Sequence, residues 1–202
     1  MSARTAVRVM AAGVRGEDRA AVHEFPDSTI VVLADGAGGL SGGAEAADRI
    51  VAALAGPFPA SPAVLRDALL DVDASLYLDS TAGSAACALL VVDATGVAGA
   101  VAGDVEVMRL GRDRVERLVG RREPKPLLGE GGCWPAVFAA RRSATRLLAC
   151  SDGLWKYVRP DAFLAAAREI DVEAAADALA NAARLPGGAL QDDLSLVLLD
   201  VG

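Results

Sequence analysis

The sequence predicts an α+β fold: an antiparallel β-sandwich flanked on both sides by helix pairs, four layers in the order αββα. Three observations carry this. Strand-like runs are followed by two helical stretches, more strands, a second helical pair and a closing strand, unlike the strict alternation of a doubly wound sheet. Turns between the middle strands are short, as antiparallel neighbours require. The 202 residues are 53% hydrophobic and 23% charged, which supports a folded domain with a sizeable core. Aromatics are only 4%, so that core must be built from Ala, Val and Leu.

Thr5–Ala11 and Arg19–Glu24 read as short strands on either side of the turn Gly13–Gly16. Thr29–Ala34 (TIVVLA) is a continuous β-branched run suited to a buried strand. It stops at Asp35-Gly36, and a glycine-rich loop runs on to Gly43. Ala44–Leu54 is helical by its apolar face of Ile50, Val51 and Leu54, and Ser61-Pro62 starts a second helix to about Leu78. Four strands follow as expected antiparallel neighbours: Ala85–Val92, Val97–Ala102, Val105–Leu110 and Arg114–Leu118. Gly120–Gly132 is the least regular segment, so 120–133 is expected as a short flap-like loop. Trp134–Ala139 and Thr145–Cys150 suggest a hairpin, Pro160–Arg168 and Val172–Arg184 two Ala-rich helices, and Leu194–Val201 the last strand. There is no internal repeat and no linker, so residues 1–202 are expected to form one free-standing domain.

Charge narrows the function. With 27 acidic against 20 basic residues the net charge is −7, which argues against nucleic acid or an anionic membrane as partner. A single histidine, His23, excludes most zinc hydrolase sites and leaves any Ser-His-Asp triad dependent on that one residue. On a strand, His23 is expected to be an ordinary strand residue. The cysteines Cys87, Cys133 and Cys150 are odd in number and lack CxxC spacing, as reduced buried thiols do. No apolar run approaches the roughly 18 residues of a membrane span, and Met1–Gly13 has no h-region. The expected location is the cytoplasm.

The surplus carboxylate is not evenly spread. Asp35 follows TIVVLA, Asp152 follows RLLACS, and both precede glycine; Asp192 sits just before LSLVLL. One Asp-Gly at a strand end is ordinarily a turn. Several acids at the mouths of buried strands are costly unless a cation compensates them. Glu17-Asp18, before another strand, adds a fourth candidate. Oxygen ligands without Cys or His suit Mg²⁺ or Mn²⁺, and two such ions can clamp a phosphate. Spacing alone leaves the turn and the metal site both standing.

In order along the chain, the motifs resemble those of the metal-dependent PPM/PP2C serine/threonine protein phosphatases, in their compact bacterial form. Glu17-Asp18 looks like the N-terminal acidic pair of that family, and Asp35-Gly36-Ala37-Gly38-Gly39 like its DGxGG signature. Gly83–Cys87 resembles a G-[ST]-[TA]-A strand start, and Gly103–Glu106 the GDSR turn. Ser151–Trp155 reads SDGLW, and Asp192–Ser195 is similar to DNxS. The resemblance spans nearly the whole chain. It implies a β-sandwich flanked by helix pairs and hydrolysis of phosphoserine or phosphothreonine by a water bridging two Mn²⁺ or Mg²⁺ ions. Asp18, Asp35, Asp152 and Asp192 would act through that metal-activated water. Asp18, Asp35 and the Gly36 carbonyl would hold the two-metal centre, Asp152 and Asp192 would complete it, and Asp104 would serve a third, weaker ion. Arg15 would stand in for the family's phosphate-binding arginine. The implied partners are a phosphoprotein substrate and a Ser/Thr kinase or its target.

This chain departs from the pattern at four places. Asp193 replaces an asparagine and adds a charge, and Val105-Glu106 replace Ser-Arg. Ala37 stands where animal members carry a histidine, and Arg15 lies two residues before Glu17 rather than further upstream. Those departures leave room for a second class of function, a pseudophosphatase acting as a regulatory binding module. A dinucleotide-binding turn at VVLADGAGGLSGG is disfavoured, because Asp35 would repel a pyrophosphate and no βαβ unit follows. Trp134 and Trp155 are expected in packing roles. Arg121, Arg122 and Lys125 form a small basic cluster that reads as a solvated face or a weak guide for a phosphopeptide.

Overall fold

The computed structural model describes residues 4–37, 42–79, 81–120, 126–142 and 145–201. One sheet contains β1 (Arg4–Met10), β10 (Leu194–Val201), β9 (Thr145–Cys150), β6 (Glu106–Leu110) and β7 (Val115–Arg117), in that spatial order. The other contains β2 (Arg19–Glu24), β3 (Ser28–Ala37), β4 (Ser84–Asp93), β5 (Gly96–Ala102) and β8 (Ala136–Arg141). Every neighbouring pair in both sheets is antiparallel. Helices α1 (Gly43–Ala53) and α2 (Pro62–Tyr77) cover the second sheet. Helices α4 (Pro160–Arg168) and α5 (Val172–Ala182) cover the first, and a single turn, α3 (Asp152–Trp155), follows β9.

The unbroken apolar runs follow from burial on both faces. Side chains alternate along a strand, so Ile30, Val32 and Ala34 of β3 meet α1 and α2, while Val31 and Leu33 enter the space between the sheets. On β10, Leu196 and Leu198 likewise face α4 and α5, and Val197 and Leu199 face the opposite sheet. Three apolar layers result, and their largest fully buried side chains are all Leu or Ile. The low aromatic content is met by close packing of small branched residues.

Two expected pairings, β5 with β6 and β8 with β9, are not formed. The chain crosses between sheets from β1 to β2, from β5 to β6 and from β8 to β9. The physical reason is distance: packed sheets lie about 10 Å apart, within reach of a turn of three or four residues. A short turn is therefore compatible with a hairpin or a crossing. Trp134 also departs from expectation, being 70% exposed before β8 begins, with the Arg66 guanidinium 5.2 Å from its ring centre. Trp155 is partly buried against the core of the first sheet, as expected. His23 is a β2 residue facing Ile30, and its Nε2 is buried without a hydrogen-bond partner.

Residues 126–133 are tied to the second sheet and to α2. Leu128 and Ala85 exchange two backbone hydrogen bonds of 3.0 Å, and the Leu128 side chain is fully buried. Asp73 of α2, itself buried, accepts the backbone N–H groups of Gly129 at 2.7 Å, Cys133 at 3.3 Å and Gly131 at 3.4 Å. The basic cluster Arg121, Arg122 and Lys125 lies outside the described residues. Asp73→Ala removes one acceptor from three amides, so it should cost about 2–4 kcal/mol in urea denaturation. Asp73→Asn, which keeps one acceptor oxygen, should lose less. Equal midpoints for Asp73→Ala and wild type would show that Asp73 does not hold this segment.

Candidate metal centre

Strand register brings the motif aspartates together at one end of the sandwich. Arg19 of β2 pairs with Ala34 of β3, so Asp18 and Asp35, each one step further, stand across from each other. Glu106 of β6 pairs with Cys150 of β9, and continuing that register sets Asp104 beside Asp152. Cys150 in turn pairs with Leu196 of β10, which brings Asp192 and Asp193 to the same end. The two sheets thus deliver their acids to a common edge. Asp35, Asp104 and Asp152 each place one carboxylate oxygen within 4.8 Å of the others. Asp18 and Asp192 flank that trio and interact with it electrostatically.

Asp18 is the most enclosed of these acids, at 1% exposure. Neither of its carboxylate oxygens closes a hydrogen bond of good geometry. Burial, reinforced by Asp193 and Asp152, pushes its pKa up to about 6, although the nearby hydroxyls of Ser151 and Ser195 oppose the shift. Asp35 is pushed further, to about 9, by burial first and then by Asp18, Asp152 and Asp104. A backbone hydrogen bond with Asp152 offsets a little of this. Asp192 is raised too, by partial burial and by Asp152, while Lys156 pulls it down. Desolvation and like charge both act against the ionised forms. The pocket favours a cation.

The frame around these acids leaves little room for adjustment. A Cβ on Gly36 would lie 2.5 Å from the Gly43 carbonyl and 2.9 Å from that of Glu17, so only glycine lets β3 pass between the acidic-pair turn and the start of α1. A Cβ on Gly153 would collide with the carbonyl oxygen of Asp193, which is how α3 can lie against the segment before β10. Ser151 and Ser195, both fully buried, couple β9 to β10: the Ser195 N–H donates to the Ser151 hydroxyl at 2.8 Å, and the Ser151 N–H to the Ser195 carbonyl at 3.0 Å. Gly38 and Gly39 of the DGxGG motif lie outside the described residues.

Asp193 has a structural role that the sequence did not reveal. It accepts the Glu17 N–H at 2.6 Å and the Ala12 N–H at 2.8 Å, so its carboxylate fixes the turn carrying Asp18. An asparagine has only one acceptor oxygen for two such donors. Arg19 braces the same turn, donating to the carbonyls of Asp18 at 2.8 Å and Gly16 at 3.0 Å while pairing with Asp48 at 2.6 Å. Arg15 is exposed in that turn. Two further residues belong to the site. The Trp155 indole donates to the Asp104 carbonyl at 2.8 Å, and Lys156 forms ion pairs with Asp152 and Asp104. The i,i+4 spacing of Asp152 and Lys156 was the available signal for the second, but it became readable only with α3 in place.

No protein-family model and no curated protein matches this sequence. Solved structures do. The serine/threonine phosphatase Stp1 from Staphylococcus aureus superposes with a TM-score of 0.86 at 18% identity, covering 100% of this chain and 96% of that one. The catalytic domain of the serine/threonine protein phosphatase PstP, solved with two manganese ions, gives 0.81 at 23% identity over 98% of this chain and 97% of that one. PppA, a regulatory component of a type VI secretion system in Pseudomonas aeruginosa, gives 0.80 at 21% identity over 100% and 99%. The sandwich and its two helical layers are therefore the fold of the bacterial PP2C-type serine/threonine phosphatases.

Proposed function

We propose that this chain is a Mn²⁺- or Mg²⁺-dependent phosphatase acting on phosphoserine and phosphothreonine in proteins. The observation that carries the reading is the pair Asp18 and Asp35: facing carboxylates whose ionised forms are opposed by burial and by neighbouring acids, with neither Asp18 oxygen hydrogen-bonded. The residues fit a divalent ion on chemical grounds. The donors are all oxygen, which suits Mg²⁺ or Mn²⁺ rather than zinc. Gly36, at a position where a Cβ would not fit, would contribute its backbone carbonyl. The two manganese ions of the PstP catalytic domain support the same reading.

Asp18, Asp35, Asp152 and Asp192, with the Gly36 carbonyl, would hold two ions, and Asp104 completes the close trio. The bound ions would supply Lewis acidity, making a water nucleophilic near neutral pH and neutralising phosphoryl oxygens. The chain's own contribution is positioning. Asp193 and Arg19 set the turn that presents Asp18, the Ser151–Ser195 pair sets Asp152 and Asp192, and burial shields Asp18 from bulk water. Arg15, exposed three residues before Asp18, would meet the substrate phosphate. Ala37 offers no proton, so the leaving alkoxide would take one from solvent. The cytoplasm and a Ser/Thr kinase acting on the same substrate complete the reading, and the free buried thiols Cys87, Cys133 and Cys150 suit that compartment.

With Mn²⁺, the protein should hydrolyse p-nitrophenyl phosphate and a phosphothreonine peptide, and EDTA should abolish both activities. Asp35→Asn and Asp192→Asn should each lower turnover by more than about 100-fold. Protein that binds Mn²⁺ yet turns over neither substrate would point to the binding module instead.

The raised carboxyl pKa values predict a pH effect on the metal-free protein. Above about pH 4 the unfolded chain releases protons that the native site retains up to about pH 6 at Asp18 and about 9 at Asp35. The native state binds more protons, so metal-free stability should fall as pH rises through that window. In EDTA, the urea midpoint should drop between pH 6 and 9, and Asp35→Asn should remove most of the drop. A wild-type profile flat over that range would mean that Asp35 is not held protonated.

A further inference from the structure

Lys156 is a cation that the structure sets within the acidic edge. It follows α3 directly, four residues after Asp152, so its side chain lies on the face that carries that carboxylate. Its ammonium pairs with Asp152 Oδ2 and lies 3.6 Å from Asp104 Oδ2. Asp104 and Asp152 are two members of the close trio with Asp35. The lysine therefore uses the oxygens that a divalent ion on that side of the trio would need.

Its position is built from several directions. The Trp155 indole fixes the Asp104 backbone to α3, so the residue beside Lys156 sets the distance that Lys156 spans. The same indole ring lies 5.6 Å from the Lys156 ammonium and 5.3 Å from the Arg117 guanidinium, which gives the lysine stem an aromatic surface to rest on. Asp104 and Asp152 are largely shielded, with side chains 23% and 16% exposed, whereas the lysine at 38% reaches them from the solvent side. An ammonium held by the chain is present whatever the metal concentration.

We propose that Lys156 is a tethered cation that claims the Asp104–Asp152 edge of the cluster and excludes a divalent ion from it, limiting the centre to two metal ions. The inference rests on the metal-centre reading above. It makes Lys156 a positioning and stoichiometry-setting residue, and it withdraws Asp104 from metal ligation while the lysine is in place. Removing the ammonium takes its charge away from both carboxylates at once, and together with Asp35 they offer three oxygens of the kind hard cations accept.

The test is Mn²⁺ stoichiometry by calorimetry, with bound manganese counted by electron paramagnetic resonance. Wild type should bind two ions. Lys156→Gln and Lys156→Ala should bind a third, with affinity at that position raised about tenfold or more. Lys156→Arg should stay at two, and Lys156→Gln combined with Asp104→Ala should lose the added site. Lys156 is partly exposed and its neutral variants keep the helix, which circular dichroism checks. Three ions in wild type, or two in every folded Lys156 variant, would overturn the lysine's role and leave the two-metal reading intact. No ion in wild type would overturn both.

Discussion

The structure turns on a conflict between burial and charge at the edge where the two sheets meet. Asp18 and Asp35 stand one step beyond the last pair of β2 with β3, Asp18 buried and Asp35 half-buried, where Asp104, Asp152 and Asp192 converge from the other sheet. Taking one carboxylate out of water is costly, and crowding several multiplies the cost. A fold that spends stability in this way has to be held rigidly elsewhere. The three apolar layers, built from Leu, Ile, Val and Ala with both faces of most strands buried, provide that rigidity.

The rigidity reaches the carboxylates through short, specific contacts. Gly36 and Gly153 let backbone approach backbone where a methyl group would not fit, so β3 and α3 cannot drift from the acids they carry. The Ser151–Ser195 exchange locks β9 to β10 immediately before Asp152 and after Asp193. Asp193 links the end of the chain to its beginning by capturing the amides of Ala12 and Glu17. The extra carboxylate adds repulsion towards Asp18 and at the same time serves two backbone donors. Preorganisation of this kind lets charge be stabilised without reorganisation when a ligand arrives.

Much of this was legible in the sequence, because strand ends are marked by the chemistry of their residues. TIVVLA running into Asp35-Gly36 and RLLACS into Asp152-Gly153 reveal both a buried strand and the acid at its mouth. What the sequence could not show was which sheet each strand enters. A run apolar on both faces fits either sheet, and the turns at Gly103–Val105 and after Arg141 are long enough to cross. The same ambiguity hid the contacts of Asp193 and Lys156, which depend on neighbours over 170 and about 50 positions away. Trp134 shows the reverse error: a large aromatic suggested packing, but its place before β8 leaves it in solvent over Arg66.

The two cations this edge can hold are not equivalent. A divalent ion brings more charge and several coordination directions, but it must be captured from solution and lose its hydration. The Lys156 ammonium brings one charge, requires no capture, and is held by a helical turn whose geometry is fixed by the Trp155–Asp104 contact. Reaching the trio from the solvent side, the lysine compensates two half-buried carboxylates, Asp104 and Asp152. Asp18, the most enclosed of these acids, accepts no hydrogen bond from a lysine or arginine among the described residues. The net charge of −7 thus includes acids matched by the chain's own cations and others, Asp18 and Asp35, that burial drives towards protonation unless a bound ion balances them.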